Sequence, residues 1–221
     1  RIVWPEATPM PEIAETTIFR FDELADDAKE EARSWYRRGG LDYDWHDTVL
    51  DDFRQIAEIL GVRFKTRAIA LMGGGVRRQP CIWFSGFYSQ NDGACFEGRY
   101  EYAKSASTAI RAHAPRDREL HRIADALQAV QRRNFYQLYA DIGHRGRHYD
   151  QSSMQIAVRR DSWRDLTSDA EDAVDDALRD LAHWLYRQLE REYEYLNSDE
   201  MVDAAIRANL YTFTEDGGRF G

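Results

Sequence analysis

Residues Cys81–Tyr102, CIWFSGFYSQNDGACFEGRYEY, set two aromatic-rich runs on either side of Ser89-Gln90-Asn91-Asp92-Gly93. A glycine-containing loop of three to five residues between such runs predicts a β-hairpin. With Tyr88 paired to Ala94, the register places Phe87 opposite Cys95, Ser85 opposite Glu97, Trp83 opposite Arg99 and Cys81 opposite Glu101. Side-chain alternation then gives the other face Ile82, Phe84, Gly86, Tyr88, Ala94, Phe96, Gly98, Tyr100 and Tyr102. That nearly apolar face is the expected core. The mixed face carries Trp83 beside Arg99 as a cation–π pair and Cys95 near Glu97, and so is a candidate site. Gly86 and Gly98, inside the strands, mark a bulge or a close backbone approach.

The flanking chain alternates between the periods of helix and strand. Leu24, Ala28, Ala32 and Trp35 stripe a helix over about 26–38, closed by Gly39-Gly40. Trp45, Val49, Phe53, Ile56 and Leu60 stripe a second over about 42–60, and 62–71 reads as one strand before the Met72-Gly73-Gly74-Gly75 turn. Helices follow over 105–113 and through Leu120, Ile123, Leu127 and Val130. From Phe135 the period becomes two, as it is again at Met154, Ile156 and Val158, predicting a second hairpin joined by the polar segment 144–151. Ser168 and Glu171 read as a capping box opening the longest helix, striped by Val174, Leu178, Leu181, Leu185, Leu189 and Leu196. A short helix over 198–209 and β-prone runs at 16–21 and 210–214 complete the pattern. The prediction is an α+β fold: an antiparallel sheet of four to six strands centred on the 81–102 hairpin, packed by several helices including a long C-terminal one.

At 221 residues the chain fits a single α+β domain, with residues 1–14 as an extended N-terminal arm. Hydrophobic residues at 43% exclude a disordered chain, and no apolar run nears the ~20 residues that span a bilayer. No secretory leader is visible, so the expected location is the cytoplasm. Two cysteines are too few for a disulfide framework or a cysteine-built zinc site, and free thiols are expected. The net charge of −9 is unevenly spread: residues 165–200 hold twelve acids and three arginines, whereas 103–164 hold six acids and twelve Lys or Arg. A surface of two signs can steer a charged partner.

The run Phe84-Ser85-Gly86-Phe87-Tyr88-Ser89-Gln90-Asn91-Asp92-Gly93-Ala94-Cys95-Phe96-Glu97-Gly98 resembles the signature of a family of uncharacterised bacteriophage and prophage proteins, some of them labelled antitoxins of toxin–antitoxin systems. The resemblance extends to Phe21-Asp22-Glu23-Leu24, Asp44-Trp45, His144-Arg145-Gly146, Ser153-Met154 and Thr214-Glu215-Asp216-Gly217, with Asn91 where glycine is common and Ala25 where serine is common. It implies a phage context, hence the host cytosol, and brings no established activity.

The candidate catalytic set is Cys95 as nucleophile with His144 or His148 as base and Asp92, Glu97 or Asp150 as orienting acid. Against it, a cysteine among aromatics in a strand is more often a buried hydrophobe, and Glu97 would raise its pKa. The His144/His148 spacing occurs in zinc helices, but Gly146 makes this segment a loop, and no metal or other cofactor is expected. Arg145, Arg147 and the Arg/Tyr-rich 132–149 region are candidates for a small nucleotide, while a pI of 5.2 opposes duplex nucleic acid. The favoured expectation is a phage-encoded protein that binds and inhibits a host protein. The candidate contacts are Ser89, Gln90, Asn91 and Asp92 of the hairpin loop, and the acids Asp169, Glu171, Asp172, Asp175, Asp176 and Asp180 of the long helix, which could imitate a row of phosphates.

Overall fold

The computed structural model describes residues 15–41, 43–162 and 166–221. The N-terminal arm expected over residues 1–14 lies outside them. In chain order the elements are β1 (Phe19–Arg20), α1 (Asp26–Gly39), α2 (Asp47–Leu60), β2 (Val62–Phe64), β3 (Thr66–Ala70), β4 (Val76–Pro80), β5 (Ile82–Phe84), β6 (Ala94–Phe96), β7 (Gly98–Glu101), α3 (Ala106–His113), α4 (Arg118–Arg133), β8 (Leu138–His144), β9 (Met154–Arg160), α5 (Ser168–Leu196), α6 (Asp199–Ala208), β10 (Thr212–Phe213) and β11 (Arg219–Phe220). The fold is α+β with antiparallel sheets, as the pattern predicts. Its described residues gather into two compact units, one from 15–44 with 194–221 and the other from 45–193.

In the smaller unit β1 pairs with β10 and β10 with β11. Phe21, Leu24, Ala28, Ala32, Val202, Ile206 and Phe213 form its core, with Trp35 edge-on to Phe213. The Arg33 guanidinium grips Asp203 through two bonds of 2.7 and 2.8 Å, joining α1 to α6 in the bidentate geometry that makes such pairs strong.

In the larger unit the sheet order is β2-β7-β8-β9, all antiparallel. Leu138, Ala140 and Ile142 are buried along β8, while Tyr139 and Asp141 between them face the other way. The core continues through Phe53, Ile56 and Leu60 of α2, Ile123, Leu127 and Val130 of α4, and Val174, Leu178, Leu181, Leu185 and Leu189 of α5. The opposite face is a solvated ion ladder, Arg63–Glu101–Arg99–Asp141–Arg159. One apolar and one wet face is the ordinary economy of an antiparallel sheet. The Asp117 carboxylate caps α4 at Leu120 N (2.9 Å) and accepts from the Trp184 indole (2.8 Å), fixing the start of α4 against α5.

Several expectations are corrected. The 81–102 hairpin pairs Ile82 with Phe96, Trp83 with Cys95 and Phe84 with Ala94, so Trp83 faces Cys95 and not Arg99. The displacement is four residues, an even number, so the division of side chains between faces survives. The connection is nine residues long because Ser85 and Gly93 close it: Ser85 N donates to Gly93 O and Gly93 N to Ser85 Oγ, both at 3.0 Å. Tyr88, expected in the core, is 84% exposed within it. At Glu97 the second strand leaves the hairpin, and β7 becomes an interior strand of the four-stranded sheet. Gly98 permits this crossing, since a Cβ there would lie 2.3 Å from Arg63 O.

Residues 62–71 form two strands, and β3 and β4 make a hairpin of their own. The second helix starts at Asp47 and leaves Trp45 outside it. The strand expected from Phe135 starts at Leu138, because Phe135 and Tyr136 both take left-handed conformations (φ 57° and 60°) and Tyr136 N donates to Gln131 O at 2.7 Å. Ser168 is the first residue of α5, its hydroxyl turned to Asp172 (3.4 Å), while Thr167 O accepts from Ala170 and Glu171 N, so the predicted capping box is not formed.

Candidate functional site

The proposed nucleophile is inaccessible. Cys95 is fully buried in β6, and burial pushes its thiol up to about 12; the Asp150 and Glu97 carboxylates add to the rise and a Ser153 hydroxyl bond opposes it. Of the partners offered for it, His148 is exposed on the surface while Cys95 is buried, and the others are engaged elsewhere. The His144 ring bonds the His148 carbonyl (2.8 Å), and Asp150 caps the turn after it at Ser152 N (2.7 Å) and Ser153 N (3.1 Å). Glu97 pairs with Lys65 at 2.8 Å. No hydrogen bond joins Cys95 to either histidine among the described residues. Among them, too, no three His, Cys, Asp or Glu side chains converge so as to hold a metal ion.

The run Phe84–Gly98 is mostly occupied by its own folding. Asp92 Oδ2 accepts from Tyr88 N (2.9 Å) and Ser89 N (2.6 Å) and so shapes the loop. Phe84 and Phe87 pack on Trp45, and Phe87 also meets Tyr186 and Tyr193 of α5, at 5.6 and 5.0 Å between ring centres. Gly93 lies so close to the 149–150 backbone that a Cβ would sit 2.7 Å from Asp150 Cα. What remains exposed for a partner at this loop is its tip, Tyr88, Ser89, Gln90 and Asn91.

The six acids of α5 are not equivalent. Asp175 is bound by Arg179, whose guanidinium also reaches Gln151 O and Met154 O (3.1 Å), and Asp180 by Arg122 at 2.9 Å. Asp169, Glu171, Asp172 and Asp176 are exposed and make no ion pair among the described residues. Nor does 132–149 form one nucleotide site, because β8 separates its ends by seven residues, ~20 Å at ~3.3 Å per residue. At one end Arg133 and Phe135 line a cleft of about 360 Å³ with Arg160 and Asp169. At the other, Arg145 and Arg147 are exposed, with no ion pair among the described residues.

Two features escaped the sequence reading. Trp83 stacks on Tyr149 (6.0 Å between ring centres, 11° between planes), with His144 beside both and the Arg67 guanidinium 5.7 Å over the indole. Arg99, assigned to Trp83 by the displaced register, lies 4.4 Å over Tyr139 instead. The second is the basic character of β3–β4: residues 62–80 hold five Lys or Arg and no acid. A charge count in a short window would have found it.

What this geometry defines is an α+β protein whose two cysteines are buried and in which Asp169, Glu171, Asp172 and Asp176 of α5, with Arg145 and Arg147, are exposed. The chain belongs to the family described as a domain of unknown function (DUF8835), matched over residues 45–199, a span that opens with the larger unit at Trp45. No curated protein and no solved structure matches it. No helix among the described residues is long and apolar enough to cross a membrane.

Proposed function

We propose that this is a phage- or prophage-encoded accessory protein that acts in the host cytosol by binding a host protein and inhibiting or modulating it. The phage context rests on the resemblance carried by Phe84–Gly98. The observation that favours capture of a partner is the outer face of α5, where Asp169, Asp172 and Asp176 follow one another at helical spacing, Glu171 stands beside them, and none makes an ion pair among the described residues. Carboxylates in such a row imitate the phosphates met by a nucleic-acid-binding protein, whose arginines would pair with them in charge-assisted bonds. The hydrolase alternative is opposed by the burial of Cys95 and its raised pKa.

Reversing Asp169, Glu171, Asp172 and Asp176 to Lys leaves the core untouched. It should abolish salt-sensitive capture of a host protein that the unaltered chain retains. Capture that survives the reversals but is lost in a Gln90→Ala, Asn91→Ala variant would move the contact to the hairpin loop and refute the acidic-face reading.

A further inference from the structure

The β3–β4 hairpin is exposed along its length: every residue from Thr66 to Arg78 except Ile69 is solvent-facing. Its register, Arg67 opposite Gln79 and Ile69 opposite Arg77, puts Arg67 and Arg77 on one face, diagonally adjacent, and Arg78 on the other with Thr66. Lys65 and Arg63 at its base are neutralised by Glu97 and Glu101. Arg67 and Arg77 make no ion pair among the described residues, Arg67 bonding Gln79 instead (3.3 Å). Arg67 leads directly to aromatic surface, since its guanidinium lies over Trp83, and Trp83 stacks on Tyr149, which is 36% exposed. Tyr149 closes the loop that carries Arg145 and Arg147, both exposed and without an ion pair among the described residues. Glu97 is held by Lys65 and Asp150 by the 152–153 backbone.

We infer that this surface, Arg67, Arg77, Trp83, Tyr149, Arg145 and Arg147, binds single-stranded nucleic acid. Guanidinium groups with no carboxylate partner among the described residues, beside a stacked aromatic pair with an exposed ring, are the two things a single strand requires: cations for its phosphates and a platform for an unpaired base. A duplex buries its bases and could use only the cations. An acidic peptide could use the arginines but has no flat base to lay on Tyr149. This surface shares no residue with the acidic face of α5 and goes beyond the function proposed above.

The test is fluorescence anisotropy of a labelled deoxythymidine oligonucleotide titrated with the full chain over a series of salt concentrations. Four arginines on the phosphates give a slope of log affinity against log salt near −3, at about 0.7 per contact, and Arg67→Ala with Arg77→Ala flattens it by about 1.4. Tyr149→Ala weakens binding about tenfold with the slope unchanged, and Tyr149→Phe, which keeps the ring, restores it. Arg78→Ala, on the far face, changes the slope by less than half as much as either partner-facing arginine. The four-fold acid reversal on α5 leaves binding intact or tighter, so this inference and the proposed function fail independently. The inference is overturned by absence of saturable binding at low salt, by a slope indifferent to Arg67 and Arg77, by duplex bound as tightly as the single strand, or by polyglutamate competing as well as the oligonucleotide.

Discussion

The reactivity of Cys95 separates a binding protein from a thiol hydrolase. Alkylation by iodoacetamide follows the thiolate fraction, and burial pushes this thiol from 9.0 to about 12. At pH 8 a thiol at 9.0 is about one-tenth ionised and one at 12 about one part in ten thousand, so native Cys95 should label at least ~1000-fold more slowly than an ordinary thiol. Burial slows it further, because the reagent must wait for β6 to open. Peptide-resolved mass spectrometry at timed quench points reads both cysteines in one experiment. Cys81, buried and pushed up by the same cause, serves as the internal comparison, and the urea-unfolded chain gives the ordinary rate. For Cys95 the logarithm of the rate should climb with pH through 8, 9 and 10 without a plateau. Labelling of the folded protein at the unfolded rate, or a plateau reached below pH 8.5, would refute the reasoning and revive the nucleophile.

The same shift predicts alkaline instability. Cys95 and Tyr100 both have folded pKa values raised to about 12, from 9.0 and 10.0, mainly by burial, so their neutral forms favour the folded state. Their contribution is complete below pH 9 and is lost as pH rises through 12, at up to ~1.4 kcal/mol per unit per group. The urea midpoint should fall above pH 9, and Cys95→Ala should make that fall shallower; an unchanged slope would contradict the shift. Gln131 is fully buried and bonds Leu138 on both sides, Nε2 to O at 2.7 Å and Oε1 from N at 3.2 Å, with Tyr100 at 3.2 Å. Gln131→Met would strand these groups at ~1–3 kcal/mol each, in total on the order of 3–5 kcal/mol, and lower Tm by roughly 10 °C in a thermal melt. A loss below ~1 kcal/mol would show that the site rehydrates. Gly98→Ala would force the Cβ against Arg63 O and should cost several times more than Gly39→Ala, whose Cβ meets nothing, in paired urea titrations.

Much of the candidate surface was legible as residue types and little of it as geometry. The acids of α5 were visible, but which of them are free depended on Arg122 and Arg179 arriving from elsewhere in the chain or one turn away. Cys95 and His144 were visible as chemistry, and their neutralisation came from burial and from the His148 carbonyl, neither of which has a periodic trace. The basic hairpin was missed because β3 and β4 carry little apolar alternation; both strands are almost wholly exposed.

By itself the sequence determined the α+β class, the long helix over 168–196 and the alternating strands on either side of 144–151, because hydrophobic period is a local property that one segment expresses without its partners. It also determined which side chains of the 81–97 hairpin share a face, since parity survives any even displacement of register. Only the tertiary structure decided the register itself, through the Ser85–Gly93 closure, and the division of 81–102 between a short hairpin and an interior strand of a different sheet. It alone set Trp83 on Tyr149 and under Arg67. Those contacts join residues far apart in the chain, and a pattern of neighbours holds no information about which distant segment will supply the missing face.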